Sequence, residues 1–400
     1  MNSQQFNEVV QARTILNSLT ILIQGPVATE NIQAMLSAIS FYRTEFPGAG
    51  IVLSISPTTR QADRQLADIA HELSQVVDAV TVAQRHTALP PIKHGIGSNH
   101  FNQQLASAQA GLKLVTTEYT LRIRSDMLSV RCAILEHYAK NAGLPRGGYA
   151  VLQQRVLISP YFTLNPFTTE KLSFHYSDWL HLGLTQDLIR IWSVAPYSAV
   201  DADFYPYNAS IAPALEEADK FRSRLAVEQH IYFNLLAPAP SDLQLTRHTD
   251  HRRAQPSLHA LADNFIIDDV HKSRAIPNKY ENLLVDKILE ITCLTYDDWR
   301  DIAWSRPSDD LRKSFEGKIA IAKMQRRRAR AGSAKATSPA AEFAIKIIIF
   351  IARLFSGEKS KRKLAESPGL FFYDIKKQPS KTLASLYFKL SRLPHNHTRS

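Results

Sequence analysis

Between Leu19 and Asp126 short apolar runs alternate with stripes of apolar residues at helical spacing, and this order confines the chain to a layered α/β fold. Leu19–Val27 (LTILIQGPV) is an apolar run closed by Gly-Pro, which reads as a buried strand and a turn. Ile32, Met35, Leu36, Ile39 and Tyr42 then recur at helical spacing until Pro47-Gly48 stops the helix. Gly50–Ser56 reads as a second strand, residues 59–73 as a helix, and residues 76–84 as a third strand. After a polar loop, Phe101, Leu105, Ala108, Leu112 and Val115 fall on one helical stripe. The strand EYTLRIRSDML follows, with Tyr119, Leu121 and Ile123 alternating with Thr120, Arg122 and Arg124, the pattern of a strand with one buried face. The expected class is therefore a mostly parallel sheet flanked by helices. Residues 151–305 are more aromatic and less regular, and NFIIDDVH (Asn264–His271) reads as one more strand.

Charge divides the chain where periodicity stops. Residues 311–400 hold 21 of the 48 basic residues and five of the 37 acidic ones, a net +16 against −5 for residues 1–310. This sets the expected organisation: residues 1–310 as one domain, 311–340 as a basic linker, and 341–400 as a basic amphipathic tail. At 44% hydrophobic residues the body can bury a large core. The polar first 17 residues lack the pattern of a secretory signal, no apolar run reaches the ~18 residues of a spanning helix, and Cys132 and Cys293 have no metal-type spacing. A cytoplasmic protein without a disulfide framework is expected.

Several chemistries are missing their motifs. There is no phosphate-binding P-loop, no nucleophile elbow and no HExxH; GIGSN at residues 95–99 is only a fragment of a dinucleotide fingerprint and follows a loop, not a strand. His248, Asp250 and His251 lie together in RHTDHRR, but the flanking arginines disfavour a cation, and a polar loop is the better reading. What recurs is polar groups at strand ends and helix starts. Gln24-Gly25 ends the first strand, Asn99, Asn102 and Gln104 occupy the start of the long helix, and Arg124, Ser125 and Asp126 end the next strand. Carboxyl ends of strands are where open α/β sheets bind ligands, and helix N-termini attract anions. A ligand part phosphate and part polyol fits that set, with Arg124 meeting phosphate and Asp126 holding Mg²⁺ or Mn²⁺. Singly, Asn102 and Gln104 read better as helix capping and solvated surface than as ligand contacts.

In order and content these segments resemble the WavE lipopolysaccharide-synthesis family. The matching elements are ILIQGPV (Ile21–Val27), IVLS (Ile51–Ser54), NHFNQQLASAQAGL (Asn99–Leu112), YTLRIRSDM (Tyr119–Met127), FHYSDWLHLGLTQDL (Phe174–Leu188), Glu228-Gln229 and NFIIDD. The resemblance spans roughly residues 19–305. Two positions depart from it: Gln103 stands where the family pattern has arginine, and Arg122 where it has lysine. The resemblance implies a GT-A-like glycosyltransferase using a nucleotide sugar, with Ser125-Asp126 as a one-carboxylate form of the metal–diphosphate motif and a divalent cation (Mn or Mg) as cofactor. A metal-independent enzyme that neutralises the diphosphate with Arg124 stays open. Gln24, Gly25, Pro26 and the helix start with Asn102 and Gln104 would serve the nucleotide. Asp178, in an aromatic loop with His175, Tyr176 and Trp179, is the first candidate base and Glu228 the second; Asp187 ranks third, because it also reads as a first-turn helix residue. The expected partners are a nucleotide-sugar donor and a glycan or lipid-linked acceptor. The rival readings are another nucleotide-dependent transferase and a catalytically degenerate scaffold.

In the tail, EFAIKIIIFIARLF (Glu342–Phe355) places its three charges on one narrow stripe, between basic segments. It fits a helix lying on an anionic membrane surface as well as one packed on the protein body. Nucleic-acid binding is the weaker option, because no recognised module surrounds the basic residues.

Overall fold

Seven strands made of these apolar runs form a single sheet, in the spatial order β3-β2-β1-β4-β6-β5-β7. The computed structural model describes residues 3–58, 61–95, 97–127, 129–167, 171–208, 221–236, 245, 248–277, 280, 291–305 and 315–320. In chain order, α1 (Ser3–Asn17), β1 (Leu19–Gly25), α2 (Ile32–Glu45), β2 (Gly50–Ile55), α3 (Asp63–Ser74), β3 (Ala79–Val82), α4 (Phe101–Leu112) and β4 (Tyr119–Arg124) realise the expected alternation. Then come α5 (Ala133–Ala142), β5 (Val156–Ile158), β6 (Leu180–Leu184), α6 (Thr185–Ile191), the short α7 (Ala199–Ala202) and α8 (Phe204–Tyr207), and α9 (Val227–Leu236). The last elements are α10 (Ala254–Asn264), β7 (Phe265–Ile267), the short α11 (Val270–Ser273) and α12 (Tyr296–Ser305). The chain divides into two compact units, Met1–Arg326 and Arg327–Ser400. The second unit, with the tail helix expected at residues 342–355, lies outside the described residues. Among the described residues no helix is long and apolar enough to cross a membrane.

All neighbouring strands are parallel except at β6, which runs against both β4 and β5. The chain winds outward from β1 to β2 and β3, then returns to place β4 on the other side of β1. That reversal opens a crevice beyond the carboxyl ends of β1 and β4, the switch point where sheets of this kind bind ligands.

β4 differs from its sequence reading. Both faces are buried, not one: Thr120 and Arg122 are as inaccessible as Leu121 and Ile123. The cause is tertiary. Strand residues alternate between faces; Tyr119 meets Tyr138 of α5 on one side, while Arg122 lies against Trp192, which follows α6, on the other. A central strand covered by helices on both faces has no solvent side, so its arginine must be paired inside.

Two contacts fix the strand ends that border the crevice. Gly25 has a φ of +146°, and a Cβ there would lie 2.4 Å from Ser125 Oγ, so only glycine lets the β1 and β4 ends approach this closely. The buried Tyr42 of α2 donates to the Met127 carbonyl at 2.6 Å, which anchors the turn after β4. Lys318 pairs with Asp298 and Asp301 of α12 at 3.1 Å each, and Phe315 is buried in the core, so ordered packing includes residues 315–320.

Candidate functional site

The crevice is a cleft of about 1520 Å³. Its floor is the end of β1 with Gln24, Gly25 and Pro26 and the end of β4 with Arg122, Arg124, Ser125 and Asp126. One wall is Ser56–Thr58 with the start of α4; the other carries Phe162, His175, Asp178, Trp179 and Glu228.

Four of these side chains close a ring of hydrogen bonds. Arg122 Nε donates to Gln24 Oε1 at 2.5 Å. Gln24 Nε2 donates to the Gln104 carbonyl at 2.6 Å, and Gln104 Nε2 donates to Asp178 Oδ2 at 2.6 Å. Arg122 Nη1 completes the ring by donating to the Asp178 carbonyl at 2.5 Å. β1, β4, α4 and the loop before β6 are thus tied together under the cleft. Burial pushes the Arg122 guanidinium down to about 10, opposed by the Asp178 carboxylate, so it remains a cation at neutral pH. Its plane lies 4.2 Å from the Trp192 ring centroid. His181 completes the surroundings. Tyr232 donates its hydroxyl to the Ser177 carbonyl, so it accepts from His181 Nε2–H at 2.9 Å, and the bare Nδ1 faces Arg122 at 3.4 Å. Burial first, and the Arg122 charge second, hold His181 well below the usual imidazole range.

Arg124 and Asp126 form a bidentate pair, Nε to Oδ1 and Nη2 to Oδ2, each at 2.9 Å. The guanidinium lies 5.3 Å from the Trp179 ring centroid. Both carboxylate oxygens of Asp126 therefore face a cation of the protein itself. Among the described residues no three His, Cys, Asp or Glu side chains cluster as metal ligands. In this arrangement the Asp126 carboxylate is engaged by the Arg124 guanidinium.

The opposite wall holds a second acid. Glu228, near the start of α9, places Oε2 3.3 Å from His175 Nε2, and its side chain is 20% exposed. His175 Nδ1 lies 2.9 Å from the Phe162 carbonyl, which can only accept; Nδ1 therefore carries the proton and Nε2 is left to share one with Glu228. Burial raises the Glu228 carboxyl, and the nearby Asp178 carboxylate adds to this while His175 opposes it.

The structure brings Gln24, Gly25, Pro26, Gln104, Arg124, Ser125, Asp126, Asp178 and Glu228 to this one cleft. Ser125 Oγ donates to the Pro26 carbonyl at 2.9 Å, which joins the two strand ends. Asn102 is placed elsewhere: its amide bonds the Tyr197 backbone on both sides, donating at 3.0 Å and accepting at 2.7 Å, and so pins the loop before α7. Asp187 also holds backbone, accepting from Gln153 and Gln154 at 2.8 Å each. Gln103, in the position where arginine was expected, clamps the 84–86 loop through both ends of its amide. In the sequence His175 reads as part of the aromatic loop around Asp178, suited to a sugar face, and Arg122 as a retained positive charge at the family's lysine position. The burial of Arg122 was hidden by the period-two pattern, whereas the histidine three residues before Asp178 was a visible signal.

The family model for WavE lipopolysaccharide synthesis matches residues 19–275, a span that contains the whole ring and both walls. No curated protein matches the chain.

Proposed function

We propose, from the premise that this chain belongs to the WavE lipopolysaccharide synthesis family and has a role in lipopolysaccharide biosynthesis, that it is a glycosyltransferase. It would move a sugar from a nucleotide-activated donor to a lipopolysaccharide or surface-polysaccharide acceptor. The observation that carries this reading is the division of one cleft into a cationic floor and an acidic wall. Arg124 lies at the switch point, and Asp178 and Glu228 stand opposite. Transfer needs both functions, a cation for the leaving phosphate and a base for the attacking hydroxyl.

In the proposed step the acceptor oxygen attacks the anomeric carbon while the bond from that carbon to the phosphate oxygen breaks. The acceptor proton passes to Asp178, which Gln104 holds by one oxygen. The bond electrons leave with the nucleotide phosphate, whose new charge is met by Arg124 released from Asp126. A guanidinium suits this task because its fork pairs with two phosphate oxygens at once. Arg122, fully buried beneath the floor, adds positive potential without contact. Glu228 and His175 would orient the acceptor hydroxyls. The anionic-surface role of the tail and the peripheral location on the inner membrane belong to the same proposal.

The test separates the two ends of the cleft. Nucleotide release and donor binding are measured across a panel of nucleotide sugars with a lipopolysaccharide-core acceptor. Arg124→Gln should lose donor affinity. Asp178→Asn should keep donor binding and lose turnover by about 10²–10⁴-fold, the usual range for a removed general base. An Asp178→Asn protein with unchanged turnover would remove the assignment of the base.

A further inference from the structure

The wall opposite Arg124 carries an aromatic residue that core packing does not explain. Phe162 is 40% exposed on this wall of the cleft, the same wall that carries His175 and Glu228. Its backbone is left-handed at φ +64°, in a turn closed by Thr163 N donating to the Pro160 carbonyl at 3.1 Å. A bulky residue at such a position is a steric outlier where glycine or asparagine is usual, and strain of this kind collects at ligand sites. Two of the other three left-handed non-glycine residues of the described chain, Lys171 and Phe174, are chain neighbours of the cleft-lining Leu172 and His175.

The ring is also aimed. Trp179 lies between Tyr161 and Tyr280, at centroid distances of 5.9 and 5.1 Å and nearly parallel to both. Phe162 leans on Trp179 at 5.0 Å. Leu164 N donates to the His175 carbonyl at 2.9 Å, and Ser177 N donates to Thr163 Oγ1 at 3.0 Å, so the Phe162 and His175 segments are zipped together. The same Phe162 whose ring faces the cleft offers its carbonyl to His175 Nδ1, and His175 faces Glu228. One residue thus presents an apolar face and orients a hydroxyl-binding pair beside it.

An exposed ring next to a carboxylate and an imidazole matches the two sides of a pyranose: an apolar C–H face for the π-cloud and equatorial hydroxyls for the polar pair. We propose that Phe162, His175 and Glu228 form the subsite for a pyranose ring of the acceptor glycan. This rests on the transferase reading for the word acceptor only. The recognition of a pyranose stands by itself.

The test uses the full chain and two probes, methyl β-D-glucopyranoside and methyl β-D-galactopyranoside, with sorbitol as an acyclic control, read by saturation-transfer NMR. Saturation of the ring C–H protons of a pyranoside is expected, with none on sorbitol. Phe162→Gly keeps the carbonyl to His175 and suits the left-handed turn, so it should fold and lose the pyranoside signal at least fivefold, while Phe162→Tyr should keep it. Nucleotide sugar added at saturation should leave the signal in place. Equal pyranoside signals in Phe162→Gly and the wild type would overturn the subsite, and displacement by donor would move the ring to the donor side and overturn the acceptor assignment. If no nucleotide sugar turns over yet Phe162-dependent pyranoside binding persists, the transferase reading fails and the pyranose subsite remains.

Discussion

Replacing Arg122 with methionine should unfold the site from beneath. The guanidinium is fully buried and donates to Gln24 Oε1 and to the Asp178 carbonyl, both at 2.5 Å. Methionine fills similar length but leaves those two acceptors without their donor and the Asp178 carboxylate without its buried counter-charge. Removing one partner of a buried charge costs about 3–5 kcal/mol, and each orphaned acceptor about 1–3, terms that overlap rather than add. A loss of about 4 kcal/mol is a large share of the roughly 5–15 kcal/mol that holds a domain folded. With an unfolding entropy of about 2.1 cal/mol/K per residue over the unit Met1–Arg326, the melting temperature should fall by about 6 °C. Calorimetry at pH 7.5 on wild type, Arg122→Met and Arg122→Met/Asp178→Asn reads both parts. The double variant should recover at least a third of the loss, because it removes the stranded charge. Lysine in place of Arg122 keeps the charge but not the fork, and should fall between wild type and methionine. A melting point for Arg122→Met within about 2 °C of wild type would refute the claim that this cation organises the cleft.

Three further outcomes follow from the same contacts. Gly25→Ala sets a Cβ against Ser125 Oγ in a backbone region that L side chains avoid; it should cost about 1–3 kcal/mol in chemical denaturation and weaken donor binding. Asp268 is buried, its Oδ1 lacks a hydrogen-bond partner among the described residues, and burial raises its carboxyl to about 7, so the folded state keeps a proton that the unfolded chain loses near pH 4. Stability should therefore decline as pH rises from about 4 to 7, and Asp268→Asn should match wild type near pH 4 and exceed it by about 3–4 kcal/mol at pH 8, measured by urea titration. His181 works in the opposite direction. Its folded imidazole resists protonation, the unfolded one takes a proton near pH 6.5, and about 1.4 kcal/mol should be lost between pH 7.5 and 5.5, a loss absent in His181→Asn after correction for its own baseline.

What the sequence displayed and what it hid have physical reasons. The strands and helices from β1 to β4 were legible because each buries a periodic apolar face, and Gln24, Gly25 and Asp126 were legible because they stand where that periodicity breaks. Arg122 was not, because alternation along β4 cannot show that α6 and Trp192, some 60–70 residues later, cover its second face. Asn102 read as a ligand contact because its spacing placed it in the first turn of α4. The Tyr197 backbone, 95 residues away, takes both ends of its amide instead. Phe162 gave no signal at all, since a left-handed φ at a phenylalanine has no compositional mark.

The central claim is that a sugar is transferred across this cleft, and mass spectrometry of the acceptor tests it most directly. Purified full-length protein is incubated with the nucleotide-sugar panel and a lipopolysaccharide-core acceptor, with and without Mn²⁺ or Mg²⁺. The account predicts that one donor yields an acceptor heavier by one glycosyl residue, mole for mole with released nucleotide, and that Asp178→Asn yields neither. A donor consumed with pyrophosphate released from a triphosphate, or an acceptor left unmodified by every donor under both metal conditions, would contradict it.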